Sequence, residues 1–163
     1  MTLLAIRRWP DPVLAIPCQP VDPGEDVATL AADMLDTMYA APGRGLAAPQ
    51  VGISKRLFVM DVTWRQGSPD PQVCINPRIA WRSEDSAEGP EGCLSIPGPL
   101  TPIRRATSIG LHWTDLAGTA HEETLTGFAA ICAQHELDHL DGILTLDHLA
   151  PDAREAAIAA ITS

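Results

Sequence analysis

One short segment constrains the fold of this chain more than any other, because it sets two histidines and two acidic residues beside an apolar run. The segment is His135-Glu136-Leu137-Asp138-His139, and it follows the apolar residues 128–133 closely. On a helix, residues i and i+4 share one face, so both imidazoles can bind one metal ion. Such pairs also occur by chance on exposed helices, but burying two imidazoles and a carboxyl is costly unless they have partners. The pattern therefore predicts a buried helix with two metal ligands, and with Glu136 as general base for a bound water.

Two ligands do not complete a catalytic site, and the positions where metalloproteases often carry a third one hold other residues. In one class a histidine lies six residues past the second histidine, where this chain has Thr145. In another class a glutamate lies roughly twenty residues further on, where this chain has Ala159. Cys132 shares the helix face of His139, but a rise of about 10.5 Å between them is too long to close one tetrahedron.

An upstream cysteine is the strongest remaining candidate for the third ligand. Cys93 lies within Glu91-Gly92-Cys93-Leu94-Ser95, where the glycine lets the backbone approach closely. One thiolate and two imidazoles leave a fourth position for water, which is typical of a catalytic site. Glu155 and His148 stay open as alternative ligands at this point.

The rest of the chain alternates between helical and strand patterns, which predicts an α+β fold. Apolar residues recur at helical spacing from Val27 to Met38, and Pro42-Gly43 should end this first helix. Further helices are predicted over 127–140 and 152–161, and strands over 56–62, 73–75, 107–113 and 119–125. The glycine-rich residues 43–52 should form a loop, and Asn76-Pro77 should end the second strand. We expect mostly antiparallel sheets around a central metal-binding helix, with an N-terminal helix and a short C-terminal helix.

Length and charge limit the function further. With 163 residues, the chain fits one domain covering 1–163. A formal net charge of −10 disfavours direct binding to nucleic acid or to an anionic membrane. The short apolar patch near the first residues is broken by charges, so we expect no secretory signal, and no run approaches the roughly 18 apolar residues of a membrane span. Its four cysteines are widely spread, so we expect a reduced, cytoplasmic protein with free, metal-bound or catalytic thiols.

Three motifs, taken together, resemble those of the peptide deformylase family. They are Gly43-Arg44-Gly45-Leu46-Ala47-Ala48-Pro49-Gln50, the cysteine motif from Glu91 to Ser95, and the histidine motif from Gln134 to His139. Each motif alone is moderately specific, but here all three stand in the family's order and spacing. The resemblance covers residues 3–149 and implies one catalytic domain that removes the N-formyl group from N-formylmethionyl nascent peptides, releasing formate.

By this resemblance, Cys93, His135 and His139 bind one divalent metal ion. Fe²⁺ is the expected ion, and Zn²⁺, Ni²⁺ or Co²⁺ can occupy the site in the isolated protein. By ligand chemistry, one sulfur and two nitrogens also suit zinc. Hydroxide formed on the metal attacks the formyl carbonyl, while Glu136 takes the proton of the water and passes it to the leaving amine.

The resemblance also assigns two oxyanion donors, the side-chain amide of Gln50 and the backbone N–H of Leu94. From the residues alone, Gln50 would be interpreted as a loop amide that satisfies backbone groups. Gly45 and Gly92 are expected to leave room for the substrate backbone, which in the family lies between these segments like an added strand. Arg44 is expected beside the same groove.

Three departures from the family pattern bear on substrate and location. Arg44 stands where the family usually has an aliphatic residue, and Leu100 stands near the place where many members carry an arginine that grips the peptide. Some bacterial members end in a long basic helix that docks on the ribosome, whereas the last predicted helix here has Arg154 as its single basic residue. Contact with the ribosome is therefore possible, but we do not expect it to use a basic C-terminal helix.

Two alternatives follow from these departures. One is a deformylase-like paralogue with an altered substrate. The other is a non-catalytic relative that binds metal or peptide, against which the intact Glu136 and Gln50 argue, because binding alone needs neither. A general metalloprotease is disfavoured by the missing downstream ligand.

Overall fold

The computed structural model describes residues 2–162. In it, the helices and strands follow one another broadly in the order predicted from the sequence. The α-helices are α1 (Ala28–Ala40), α2 (Gly127–Leu140) and α3 (Pro151–Thr162). The strands are β1 (Gly45–Ala47), β2 (Leu57–Met60), β3 (Gln72–Arg82), β4 (Ser86–Cys93), β5 (Ile96–Ala106), β6 (Ser108–Thr114) and β7 (Ala120–Thr126). Short 3-10 helices cover Pro12–Ala15, Ala48–Val51, Trp64–Gln66 and Thr145–His148. The predicted α+β class with mostly antiparallel strands is confirmed.

One antiparallel sheet has the strand order β1-β2-β3-β6-β7, and it is covered by a helix on each face. Alternation along β2 explains why all four of its residues are buried. Leu57 and Val59 belong to an apolar cluster with residues of α1, whereas Phe58 and Met60 belong to a cluster with residues of α2. A strand covered on both faces becomes continuously apolar, as this one is.

A third apolar cluster holds the C-terminal part of the chain. Leu14, Ile96, Leu144 and Leu146 form its buried centre, and residues of α3 pack against them. None of the helices in the described part of the chain is both long enough and apolar enough to cross a lipid bilayer.

Two of the predicted irregular segments are more ordered than expected. The residues 43–52 do not form a simple loop, because they include β1 and a 3-10 helix. Asn76-Pro77 does not end the second strand either, since β3 continues to Arg82. Asn76 takes a left-handed φ of 48°, and the pairing register shifts after Ile75. This irregularity accommodates the proline, which cannot donate a ladder hydrogen bond.

The largest departure is the hairpin formed by β4 and β5, which the sequence pattern does not predict. Prolines and glycines interrupt both strands and remove the alternation that identifies a half-buried strand. Pro90 even pairs opposite Pro102. Prolines are tolerated here because each strand has a single hydrogen-bonded neighbour strand and one free edge.

Candidate active site

Cys93 ends β4 and lies against two histidines of α2. The ligand atoms of Cys93, His135 and His139 lie within 4.8 Å of one another, and Cys93 Sγ is 3.4 Å from His139 Nε2. Both histidines are buried, and the cysteine is half-buried. This is the only group of metal-binding geometry found among residues 2–162, and the alternative ligands Glu155 and His148 lie outside it.

A buried carboxylate orients the first histidine. Glu91 Oε1 accepts a hydrogen bond from His135 Nδ1 at 2.9 Å, which leaves Nε2 of that ring for a metal ion. Burial alone would raise the pKa of Glu91, but hydrogen bonds from His135 and Arg105 outweigh it and lower the pKa to about 2. Glu91 is therefore ionised throughout the physiological range, and it fixes the tautomer of the ligand.

Arg105 connects this carboxylate to the helix. Its guanidinium donates two hydrogen bonds of 2.9 Å to Glu91 and one of 2.6 Å to Asp138 Oδ2. The arginine side chain is 6% exposed, so the pairing is shielded from solvent. Asp138 Oδ2 also lies 2.8 Å from His148 Nε2. The hydrogen-bond network thus connects the partly exposed His148 to His135, the candidate metal ligand, through side chains of α2, β5 and β4.

Glu136 lies beside the ligand cluster with a carboxyl that is not fully satisfied. Its Oε1 atom is buried and has no hydrogen-bond partner among the described residues. Burial, reinforced by the neighbouring charge of Glu91, raises the pKa of Glu136 to about 7. A carboxyl with this pKa can both accept and release a proton near neutral pH.

The second histidine is ready to act as a ligand. Burial and the nearby His135 and Arg105 hold the pKa of His139 well below its usual range, so the imidazole is neutral. Two imidazole nitrogens and a cysteine sulfur form a donor set that suits Fe²⁺, Zn²⁺, Ni²⁺ and Co²⁺. The unpartnered Glu136 Oε1 is consistent with a water bound beside such an ion. The residues present therefore fit a divalent metal.

Gln50 faces the same cluster from the 3-10 helix after β1. It is 2% exposed, its Oε1 accepts from the backbone N–H of Ala47 at 3.0 Å, and its Nε2 donates to Ser95 Oγ at 3.0 Å. Nε2 also lies 3.7 Å from Cys93 Sγ. The amide thus satisfies a backbone group, as the residues alone suggest, and it also presents its donor end toward Cys93. Leu94 lies in the turn between β4 and β5, directly after the cysteine.

A cavity of about 390 Å³ opens onto these groups. Its lining includes Arg44, Gly45 and Gly92, the three substrate-contact residues predicted from the sequence. Gly45 touches the base of this cavity, because a Cβ atom there would lie 2.5 Å from Glu136 Oε2. A Cβ atom at Gly92 would lie 3.1 Å from the side chain of Leu100, which is 62% exposed at the cavity wall. The guanidinium carbon of Arg44 lies 3.9 Å from the ring centroid of Phe128. Any larger residue at position 45 would have to displace the Glu136 carboxyl and the Cys132 thiol.

The sequence pattern assigns no role to Glu91, Arg105 or Ser95, nor to Arg65, which also lines the cavity. Glu91 stands two residues before Cys93, a spacing that would place both side chains on one side of a strand. This spacing is informative only within a strand, and the sequence pattern does not predict β4. Arg105 and Arg65 reach the site from other elements, and nothing local in the sequence indicates their partners.

An antiparallel sheet with a buried helix, two helical histidines, a cysteine and a pocket carboxyl together define a metal-dependent hydrolase. Comparison with known proteins then gives the family. The sequence model described as polypeptide deformylase matches residues 3–155. The chain belongs to the polypeptide deformylase family.

Relatives match almost the whole chain. A peptide deformylase of Phenylobacterium zucineum is 43% identical over 159 residues, which cover 97% of this chain and 94% of the relative. The crystal structure of a peptide deformylase from Legionella pneumophila superimposes with a TM-score of 0.92 at 39% identity, covering 99% and 94% of the two chains. The peptide deformylase of Ehrlichia chaffeensis, solved in complex with actinonin, gives a TM-score of 0.91 at 36% identity, covering 98% and 95%. The predicted family and enzyme class are thereby confirmed.

Proposed function

We propose that this chain, as one catalytic domain over residues 1–163, removes the N-formyl group from N-formylmethionyl peptides and releases formate. The observation that carries the proposal is the position of Glu136. Its carboxyl is buried beside the Cys93, His135 and His139 cluster and opens onto the cavity, and one of its oxygens has no hydrogen-bond partner within residues 2–162. Binding of a metal or of a peptide would not require this group.

Cys93, His135 and His139 would hold one divalent metal ion, and Fe²⁺ is the ion we propose. Zn²⁺, Ni²⁺ or Co²⁺ would fit the same donors in the isolated protein. When bound, the ion lowers the pKa of a coordinated water and polarises the formyl carbonyl. Glu91 supports the ligation by keeping Nε2 of His135 free to bind.

Glu136 acts as general base and then as general acid. Its unpartnered Oε1 accepts a proton from the attacking water, and the same carboxyl gives that proton to the leaving amine. A pKa near 7 suits both transfers, because neither direction is strongly uphill at neutral pH.

Two donors stabilise the oxyanion that forms on the formyl carbon. The Nε2 group of Gln50 donates one hydrogen to Ser95 Oγ and directs the other toward Cys93 Sγ at 3.7 Å, where the oxyanion would accept it instead. The backbone N–H of Leu94 is the second donor. Losing one such donor costs about 10²–10³ in rate. The amide of Gln50 is held in place by Ala47 and Ser95 before substrate binds, so little reorganisation is needed when the oxyanion forms.

The substrate peptide lies between the segments that contain Gly45 and Gly92, with the methionine side chain against the apolar wall of the cavity. Phe128, Ile131 and Cys132 from the first two turns of α2 form that wall. Burial holds the pKa of the Cys132 thiol well above its usual range, so this cysteine acts as an apolar contact. Actinonin occupies the related Ehrlichia enzyme, and the same cavity is its proposed site here.

The partners we propose are N-formylmethionyl nascent peptides, which places the protein in the cytoplasm. Helix α3 would offer little positive surface for contact with the ribosome, because Arg154 is its single basic residue. The chain has a net charge of −10, so we propose no direct nucleic-acid site and no membrane partner.

The test is formate release from formyl-Met-Ala-Ser by protein purified anaerobically with Fe²⁺. We expect robust turnover that falls at least about a hundredfold in Glu136→Ala, because that variant loses the proton-transfer group. Metal content should stay stoichiometric in the variant. Formate release that survives the substitution would contradict the role of Glu136.

Two other outcomes would favour the alternatives. Stoichiometric metal without any formate would favour the non-catalytic relative. Slow turnover that Arg44→Ile accelerates would favour a paralogue with an altered substrate, because the arginine takes the place of an aliphatic residue at the groove.

A further inference from the structure

We propose that Arg44 and Arg65 form a cationic rim that selects formylated peptides with a carboxylate one or two residues after the formylmethionine. The rim is defined as these two guanidinium groups, which both line the cavity that opens onto Glu136. The inference rests on the proposed function, because it names which formylated peptides the same pocket prefers.

Both the backbone and the guanidinium of Arg44 are held in position. Its backbone precedes Gly45, which touches Glu136, and its carbonyl oxygen accepts from the backbone N–H of Asp61 at 2.9 Å. Its guanidinium carbon lies 3.9 Å from the ring centroid of Phe128, within the range of a cation–π contact. The positive charge is therefore held at the cavity edge, close to the apolar wall.

Arg65 reaches the same cavity from the short 3-10 helix Trp64–Gln66. Its guanidinium donates to the backbone carbonyl of Pro42. The neighbouring Trp64 donates its indole N–H to the carbonyl of Gly43 at 2.9 Å and packs edge-on against Tyr39 at the end of α1. The 3-10 helix is thus anchored beside the residues that precede Arg44, and the second charge is also held in position.

Neither arginine has an acidic partner in the described part of the chain. Arg105 lines no part of this rim and is paired with two carboxylates, whereas no ion pair involves Arg44 or Arg65. The two carboxyls of the cavity are not available to them either. Glu91 is satisfied by Arg105 and His135, and Glu136 lies at the buried base.

A bound peptide can supply the missing carboxylate. An extended chain rises about 3.3 Å per residue, so the first residues after formylmethionine leave the buried base and pass along the cavity edge. Guanidinium groups pair with carboxylates by charge-assisted hydrogen bonds, and prior positioning reduces the entropy lost on binding. The carboxylate can come from an aspartate or glutamate side chain, or from the C-terminus of a short formylated peptide.

Matched peptides distinguish these two sources. For the metal-loaded protein, kcat/KM is measured on formyl-Met-Asp-Ser-amide against formyl-Met-Asn-Ser-amide, and on formyl-Met-Ala-Ser as free acid against its amide. We expect the acidic member of at least one pair to be favoured about tenfold, a ratio equivalent to about 1.4 kcal/mol. The ratio should fall as ionic strength rises, because both guanidiniums border solvent.

Variants test whether the rim carries the preference. Arg44→Gln and Arg65→Gln should each reduce the acid-to-neutral ratio, and Arg44→Lys should keep part of it. Arg78→Gln is the matched control, because Arg78 contacts His112 on β6 and does not line this cavity. A ratio near one in the parent protein, or a ratio that neither glutamine variant lowers, would overturn the rim. No formate from any of the four peptides would instead overturn the proposed function and, with it, this inference.

Discussion

The two walls of the active-site pocket are held by different forces. The helix α2 is embedded in an apolar cluster, in which Leu137 and Leu140 pack against the five-stranded sheet. The hairpin of β4 and β5 contributes few buried apolar side chains, chiefly Ile96 and Ile103. It is tied to α2 by Arg105, which bridges Glu91 on the hairpin and Asp138 on the helix.

This difference shows that stability and precise positioning come from different interactions in the site. Apolar burial is non-directional and stabilises α2, which carries two ligand candidates and Glu136. Hydrogen-bonded charges are directional, so they can set the position of Cys93 and the ring of His135 relative to each other. A buried charged network is also sensitive, because removal of one partner leaves the others without compensation. The two walls should therefore respond differently to substitution.

Arg105→Met should have the largest effect on the hairpin. The change leaves the Glu91 and Asp138 carboxylates without their guanidinium, and we expect the free energy of unfolding to fall by about 3–5 kcal/mol. Urea unfolding of the metal-free protein measures this loss, with Arg78→Met as control. Amide hydrogen exchange should increase first in β4 and β5. Equal exchange increases in all seven strands would contradict a separate attachment of the hairpin.

Leu140→Ala should act on the other wall. Leu140 is fully buried in the apolar cluster, and we expect a loss of about 2–5 kcal/mol from the lost contacts and the cavity left behind. Leu116→Ala is the matched control, since Leu116 is 47% exposed. Exchange should increase in α2 and the main sheet together. A loss confined to the hairpin would show that the two walls are not held as described.

Much of the helical wall could be predicted from the sequence because its signals are local. The i, i+4 histidines, the preceding apolar run and the closing glycine all lie within residues 128–142. The helix occupies the predicted residues, and its two histidines lie close to Cys93. The glycine-flanked motif indicates Cys93 as a candidate ligand, and the family resemblance supports this assignment.

The hairpin wall could not be predicted in the same way. Its strands are interrupted by proline and glycine, so the period of two that marks a strand is absent. Glu91 and Arg105 are 14 residues apart in the sequence, and they meet only once the strands pair. Arg65 depends on the docking of Trp64 against Tyr39, a long-range contact with no local signal. Residues that act through such contacts need the fold before they can be assigned.

His148→Gln should have the smallest effect and tests where the charged network ends. His148 contacts Asp138 at 2.8 Å, but its side chain is 33% exposed and Asp138 keeps its bond to Arg105. A partly exposed contact of this kind contributes less than about 1 kcal/mol, and glutamine can still donate to the carboxylate. Urea unfolding of the metal-free variant should therefore differ little from the parent. A loss as large as that of Arg105→Met would mean that the histidine belongs to the buried network, so that the hairpin wall would be held from the surface rather than from within.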